Sequence, residues 1–129
     1  MKDISKYCPI AYAMDIFGGK WTLPIIWLIN DYPNIRYGQI KKVFPLITNT
    51  VLTRTLQKLE QYEFLTRTDY GENPPKVEYS LSQRGKEILP LTDLAGKLGE
   101  KLMSEEGKKY YYPDAKKILE NIPRSQKNV

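Results

Sequence analysis

Pro45-Leu46-Ile47-Thr48-Asn49-Thr50-Val51-Leu52-Thr53-Arg54-Thr55-Leu56-Gln57-Lys58-Leu59-Glu60 is the stretch on which the fold turns. Placed at helical spacing, Val51, Leu52, Leu56, Leu59 and Tyr62 gather in one arc, while Thr50, Thr53, Arg54, Gln57 and Gln61 occupy the opposite one. Thr48 stands just ahead as an N-cap, so the spacing predicts a helix from 48 to about 63. Pro45-Leu46-Ile47 leaves room only for a tight turn. Upstream of it, Tyr37, Ile40 and Phe44 face away from Lys41 and Lys42, which predicts a helix over about 36–44.

Beyond the central helix the period changes. Residues 65–69 and 76–81 are short and rich in threonine, valine and tyrosine. In the second, Val77, Tyr79 and Leu81 alternate with Lys76, Glu78 and Ser80, as a half-buried strand requires. The Tyr70-Gly71-Glu72-Asn73-Pro74-Pro75 segment between them is a hairpin loop stiffened by its prolines. Ser82 can cap a further helix that Pro90 kinks or restarts, and Leu91, Leu94, Ala95, Leu98 and Leu102 run along it as an apolar stripe. Glu105-Glu106-Gly107 interrupts, Tyr110-Tyr111-Tyr112-Pro113 follows, and Ile118, Leu119 and Ile122 mark a short last helix. Residues 125–129 are expected to be disordered.

On the amino-terminal side, Cys8-Pro9 opens a helix carrying Ile10, Ala13, Met14 and Phe17, and Gly18-Gly19 stops it. No further glycine follows at a spacing that would make this pair a phosphate cradle. Residues 21–30 are apolar on every side, as in a helix at the centre of a domain, with Pro24 tolerable only in its first turn. Trp21 and Tyr79 read as core.

Composition narrows the function classes. The chain has 129 residues, 41% hydrophobic and 27% charged, as a folded domain requires. With no histidine, imidazole-based catalysis and histidine metal ligation are excluded. The single cysteine, Cys8, excludes an intrachain disulfide and a multi-thiolate metal site. No cofactor or metal is expected. The longest apolar run, 23–29, is far short of the roughly 20 residues needed to cross a bilayer, and the amino terminus lacks the apolar core of a secretion signal. A cytoplasmic location without membrane attachment is therefore expected. A net charge of +5 points to an acidic partner, nucleic acid first.

Helix, short turn, helix, then a two-stranded hairpin is the order of a winged helix-turn-helix, an α+β and mostly helical fold. A helix fits the major groove of DNA, and its exposed face must then offer hydrogen-bonding groups to base edges. Asn49, Thr50, Thr53, Arg54 and Gln57 are those groups here, and Arg54 has the fork that guanine favours. Arg36, Lys41, Lys42, Lys58, Arg67 and Lys76 surround them as candidates for phosphate contacts. A face of Thr, Arg and Gln alone is ordinary solvated surface. Turn length, hairpin position and net charge together favour double-stranded DNA. A winged-helix module that binds protein through the same face is the alternative, while an enzyme would need paired carboxylates in an apolar setting, which Glu60-Glu63 and Glu105-Glu106 lack.

Several runs resemble the HxlR-type bacterial transcription regulators. They are Cys8-Pro9, Asp15-Ile16-Phe17-Gly18-Gly19-Lys20-Trp21-Thr22, Arg36-Tyr37, Ile47-Thr48, Leu52-Thr53, Leu56-Gln57-Lys58-Leu59-Glu60 and Pro74-Pro75-Lys76-Val77-Glu78-Tyr79-Ser80-Leu81, closing with Gly85 and Leu89-Pro90. The resemblance spans residues 7–103, and nothing transfers onto the appendage, 104–129. It implies a dimeric winged helix, distantly MarR-like, that binds palindromic operators, with 48–58 as recognition helix and 67–76 as wing and flanks. Pro24 departs from the family pattern, which builds that helix from aliphatic residues.

A single recognition helix reads too few bases for a unique site, so a homodimer is expected, with half-sites about 34 Å apart. The elements left over, the first helix and the stripe Leu91, Leu94, Leu98 and Leu102, are its candidate interface, joined by Tyr110 to Tyr112. Cys8 carries two readings. It is a small apolar packing residue, or a redox sensor whose thiolate the helix amino terminus favours and which answers a small electrophile or oxidant. Several regulators that this sequence resembles use a cysteine at this position in that second way.

Overall fold

The computed structural model describes residues 3–109 and 115–120. A one-turn 3-10 segment, Ile4–Lys6, leads into α1 (Pro9–Phe17), α2 (Thr22–Asp31), α3 (Tyr37–Val43) and α4 (Asn49–Gln61). The strands β1 (Leu65–Asp69) and β2 (Val77–Leu81) follow, then a 3-10 turn at Gly85–Ile88, α5 (Leu89–Glu105) and the short α6 (Ala115–Ile118). This is the winged helix-turn-helix arrangement: a mostly helical body with one two-stranded antiparallel sheet.

The core forms around α2. Its Ile25, Ile26, Leu28 and Ile29 are fully buried, which is why the helix is apolar on every side. Pro24 sits in the first turn, where no intrahelical bond is lost. Ile40 and Val43 of α3 and Leu52, Leu56 and Leu59 of α4 close on it, so α3 and α4 are joined through one apolar centre. Ile47 belongs to that centre too. Its place in a turn hid this: the turn swings out at Leu46, 85% exposed, and drives Ile47 inward.

Local chemistry fixes the helix ends. The Thr48 hydroxyl accepts from the Val51 amide at 3.2 Å, and the Gln39 carboxamide accepts from the Arg36 amide at 2.8 Å. Beyond the sheet, the Ser82 hydroxyl accepts from the Gly85 amide at 2.9 Å. Position 85 requires glycine, because a Cβ there would lie 2.1 Å from the Phe64 carbonyl oxygen.

In the sheet, Leu65 pairs with Leu81, Arg67 with Tyr79 and Asp69 with Val77. The free edge of β2 meets Ile35, which exchanges backbone bonds of 3.1 and 2.8 Å with Tyr79. With neighbours on both edges, all five residues of β2 are half-buried, and the expected in–out alternation of Val77, Tyr79 and Leu81 is absent.

One apolar expectation changes. Val51, placed by spacing in the buried arc of α4, is at its margin and exposed. In α1 only Ile16 is buried and Phe17 packs on the core, whereas Ile10 and Met14 are exposed. In α5 nothing is buried: Leu91 is half-covered, and Leu94, Leu98 and Leu102 are each more than half exposed. Ala115 and Leu119, at the start of the tail helix and just past its end, are buried in the common core. Tyr110 to Tyr112, Ile122 and residues 125–129 lie outside the described residues.

Candidate nucleic-acid interface

Because Leu52, Leu56 and Leu59 anchor one face of α4, the opposite face points outward. Asn49, Thr50, Thr53, Arg54 and Gln57 are all exposed, and together they line a single shallow depression. These are the five residues that spacing selects. Their mixture of amide, hydroxyl and guanidinium groups can both donate to and accept from base edges.

A sixth residue joins them. Tyr37 of α3 places its hydroxyl 3.2 Å from the Asn49 carbonyl oxygen, 3.2 Å from Asn49 Oδ1 and 3.3 Å from Thr53 Oγ1. Sequence spacing puts Tyr37 on the apolar side of α3, and its ring does pack against the core. The phenol oxygen, where packing alone needs only a hydrocarbon ring, was the one signal of this further reach.

The six expected phosphate-binding cations divide into groups. Lys42 is exposed on α3. Lys41 is half-buried, and its ammonium donates to the Ile47 carbonyl, bracing the turn from inside. Lys58 is also half-buried and donates to the Asp15 carbonyl in the last turns of α1, tying α4 to that helix. Arg36 reaches across to the wing, with Nη2 3.4 Å from the Pro75 carbonyl oxygen.

The wing cations stand beside acids two residues further along the chain. Arg67 Nη2 is 3.8 Å from Asp69 Oδ2, and a hydrogen bond with Tyr79 pushes its already high pKa further up. Lys76 Nζ lies 3.9 Å from Glu78 Oε2 and 4.5 Å above the Tyr70 ring. The Tyr70 hydroxyl donates to Glu78 Oε1 at 2.7 Å, which moves its own pKa up. The exposed Arg67–Asp69 pair contributes about 0–1 kcal/mol, little enough for a phosphate to displace the acid, whereas Glu78 is half-buried.

Cys8 is a free, half-buried thiol at the residue preceding α1. Its amide donates to the Ile4 carbonyl at 2.9 Å, and its own carbonyl accepts from Tyr12 at 2.9 Å. Among the described residues no group of three histidine, cysteine or acidic side chains could hold a metal ion, and no helix is long and apolar enough to cross a membrane.

The HxlR-like helix-turn-helix family model matches residues 16–107. The chain is 37% identical over 95 residues to the HTH-type transcriptional regulator YdzF of Bacillus subtilis (strain 168), covering 74% of this chain and 87% of that one. It is 37% identical over 93 residues to an HTH-type transcriptional regulator of Methanothermobacter thermautotrophicus, covering 72% and 70%. Among solved structures, a MarR-family transcriptional regulator of Porphyromonas gingivalis W83 superimposes with a TM-score of 0.68 at 40% identity, covering 78% of this chain and 95% of that one. The redox regulator HypR in its oxidised form gives 0.68 at 33%, covering 73% and 96%. With α4 and the wing arranged as described, the chain belongs to the HxlR-like helix-turn-helix family, whose members are DNA-binding transcription regulators and not enzymes.

Proposed function

We propose that this regulator acts in the cytoplasm as a homodimer on a palindromic operator, with α4 of each protomer in successive major grooves. The observation that carries this reading is the single outward face on which Asn49, Thr50, Thr53, Arg54 and Gln57 come together. Residues 7–103 form the DNA-binding unit, and 104–129 are an appendage anchored by Ala115 and Leu119. Lys42 and Arg67 contact phosphates from exposed positions, and Lys76 from a half-buried one. Arg36, Lys41 and Lys58 each have N–H groups left over for a phosphate, but their carbonyl partners fix where those groups can reach.

The dimer closes through α1 and the Leu91, Leu94, Leu98 and Leu102 row of α5. Ile10, Met14 and the last three leucines are apolar and exposed in the protomer, as residues that a second copy covers would be. Selection of bound fragments from randomised and genomic DNA tests the reading. The expected result is an enriched inverted repeat whose affinity falls linearly with salt on logarithmic axes. A protein-binding winged helix would enrich no sequence.

We further propose that Cys8 senses an oxidant or electrophile. Support comes from its half-buried thiol at the start of α1 and from the similarity to HypR, whose reduced and oxidised forms are both known. In the chain's lone-cysteine setting, the products are an alkylated thiol, a mixed disulfide with a small thiol, or a Cys8–Cys8 bridge. For either disulfide, two thiols give two electrons and two protons to the oxidant. Diamide should release wild-type protein from its operator in a gel shift and leave Cys8→Ser bound. Unchanged wild-type binding with an unmodified thiol would make Cys8 a packing residue.

A further inference from the structure

We infer that Tyr37 is a specificity-determining positioning residue, whose hydroxyl turns Asn49 toward the bases as a hydrogen-bond donor and Thr53 as an acceptor. The inference rests on α4 being the reading helix, and it follows from counting protons. Tyr37 has one hydroxyl proton and three oxygens within 3.2–3.3 Å: the Asn49 carbonyl, Asn49 Oδ1 and Thr53 Oγ1. Both oxygens of Asn49 are pure acceptors, so only the Tyr37 proton can satisfy those contacts. The phenol proton therefore goes to Asn49, and the phenol oxygen is left as an acceptor. The Thr53 contact, which has no fixed direction by distance alone, must then run from the Thr53 hydroxyl to Tyr37.

The consequence lies on the outer surface. With Oδ1 turned back to Tyr37, Asn49 presents its NH₂ group outward, which suits the acceptors of the major groove: N7 or O6 of guanine, N7 of adenine, O4 of thymine. The second lone pair of Oδ1 stays available, so the paired adenine contact through Oδ1 and Nδ2 is made in the one orientation that Tyr37 sets. Thr53, its proton spent inward, offers lone pairs that take an amino proton from adenine N6 or cytosine N4. Without the phenol oxygen both side chains become free to turn over. Each would then accept a wider set of bases.

The test compares Tyr37→Phe, Asn49→Ala, Thr53→Val and Arg54→Ala with the full-length wild type. Each is profiled by selection from randomised duplex DNA, then by competition with single-base variants of the wild-type site. Tyr37→Phe should reduce discrimination about three- to ten-fold at the positions that Asn49→Ala and Thr53→Val also affect, the scale of one hydrogen bond. It should leave the Arg54-dependent position and the salt dependence unchanged. In the Tyr37→Phe/Asn49→Ala double variant, the losses at the Asn49 position should not add. A Tyr37→Phe profile identical to wild type, with Asn49→Ala and Arg54→Ala both altered, overturns the Tyr37 proposal and leaves α4 as the reader. A lowered urea midpoint without any change in profile also overturns it, since Tyr37 is then a packing residue. If Asn49→Ala and Arg54→Ala alter no position, α4 is not the reader and the proposal falls with it.

Discussion

Leu98→Asp should convert the proposed dimer to monomer while leaving the protomer folded. Leu98 is 52% exposed and takes no part in the core, so about half of its transfer free energy remains to be gained at an interface. Complete burial of a leucine is worth about 1.5–3 kcal/mol, which leaves roughly 0.8–1.5 kcal/mol per protomer. Twofold symmetry counts each residue twice, so losing this one costs roughly 1.5–3 kcal/mol per dimer, about ten- to hundred-fold in the dissociation constant. The aspartate adds a desolvation penalty, because its neighbours Leu94 and Leu102 offer no hydrogen bond. Sedimentation equilibrium over a wide concentration range reads the shift directly, and circular dichroism at the same concentrations should show unchanged helix content. Operator affinity should fall as well, because the two half-sites no longer bind as one linked unit. A variant that sediments as a dimer with the wild-type constant would refute the α5 interface. A wild type that is monomeric at micromolar concentration would refute the dimer itself.

Other substitutions separate readout from phosphate contact and from fold. Arg54→Ala should cost about 1–3 kcal/mol on the selected site and relax one base position per half-site, as measured by competition titration. Arg67→Ala or Lys76→Ala should instead weaken all sequences alike and reduce the logarithmic salt slope by about one per site, read from titrations in increasing salt. Gly85→Ala should lower the unfolding free energy by about 1–3 kcal/mol, read as a lower urea midpoint, since its Cβ would meet the Phe64 carbonyl oxygen, a backbone atom, at 2.1 Å.

The helix-turn-helix is legible because α4 carries its evidence locally. Three leucines at helical spacing, a threonine cap and a polar arc specify both the element and its outward face. Periodicity reports which side chains are apolar, however, and not what meets them. Val51 lies at the edge of the apolar arc and finds no partner, while Ile47, in a turn, finds the whole core. In β2 the alternation fails because a tertiary neighbour, Ile35, closes its second edge. Lys41 and Lys58 read as free cations for a related reason. A lysine stem reaches about 6 Å, far enough to choose a partner that only the folded chain brings near. Their carbonyl partners, on Ile47 and Asp15, belong to a turn and to another helix.

These partners show how an exposed helix face can be held rigid while spending few of its own hydrogen-bonding groups. Thr48 holds the first turn of α4 through the Val51 amide, Lys41 holds the preceding turn through Ile47, and Lys58 holds the far end through Asp15. The apolar row of Leu52, Leu56 and Leu59 fixes its roll about its own axis. Every one of these restraints acts from the flank or the back of the helix. Thr50, Arg54 and Gln57 keep their polar atoms on the exposed side, and only Asn49 and Thr53 are engaged from within, by Tyr37. Rotamer freedom lost on binding costs about 0.5–1.5 kcal/mol per immobilised side chain, and Asn49, at the amino end, and Thr53, one turn on, are the ones already ordered. That is the end of a recognition helix which enters the groove first and contacts base edges most closely.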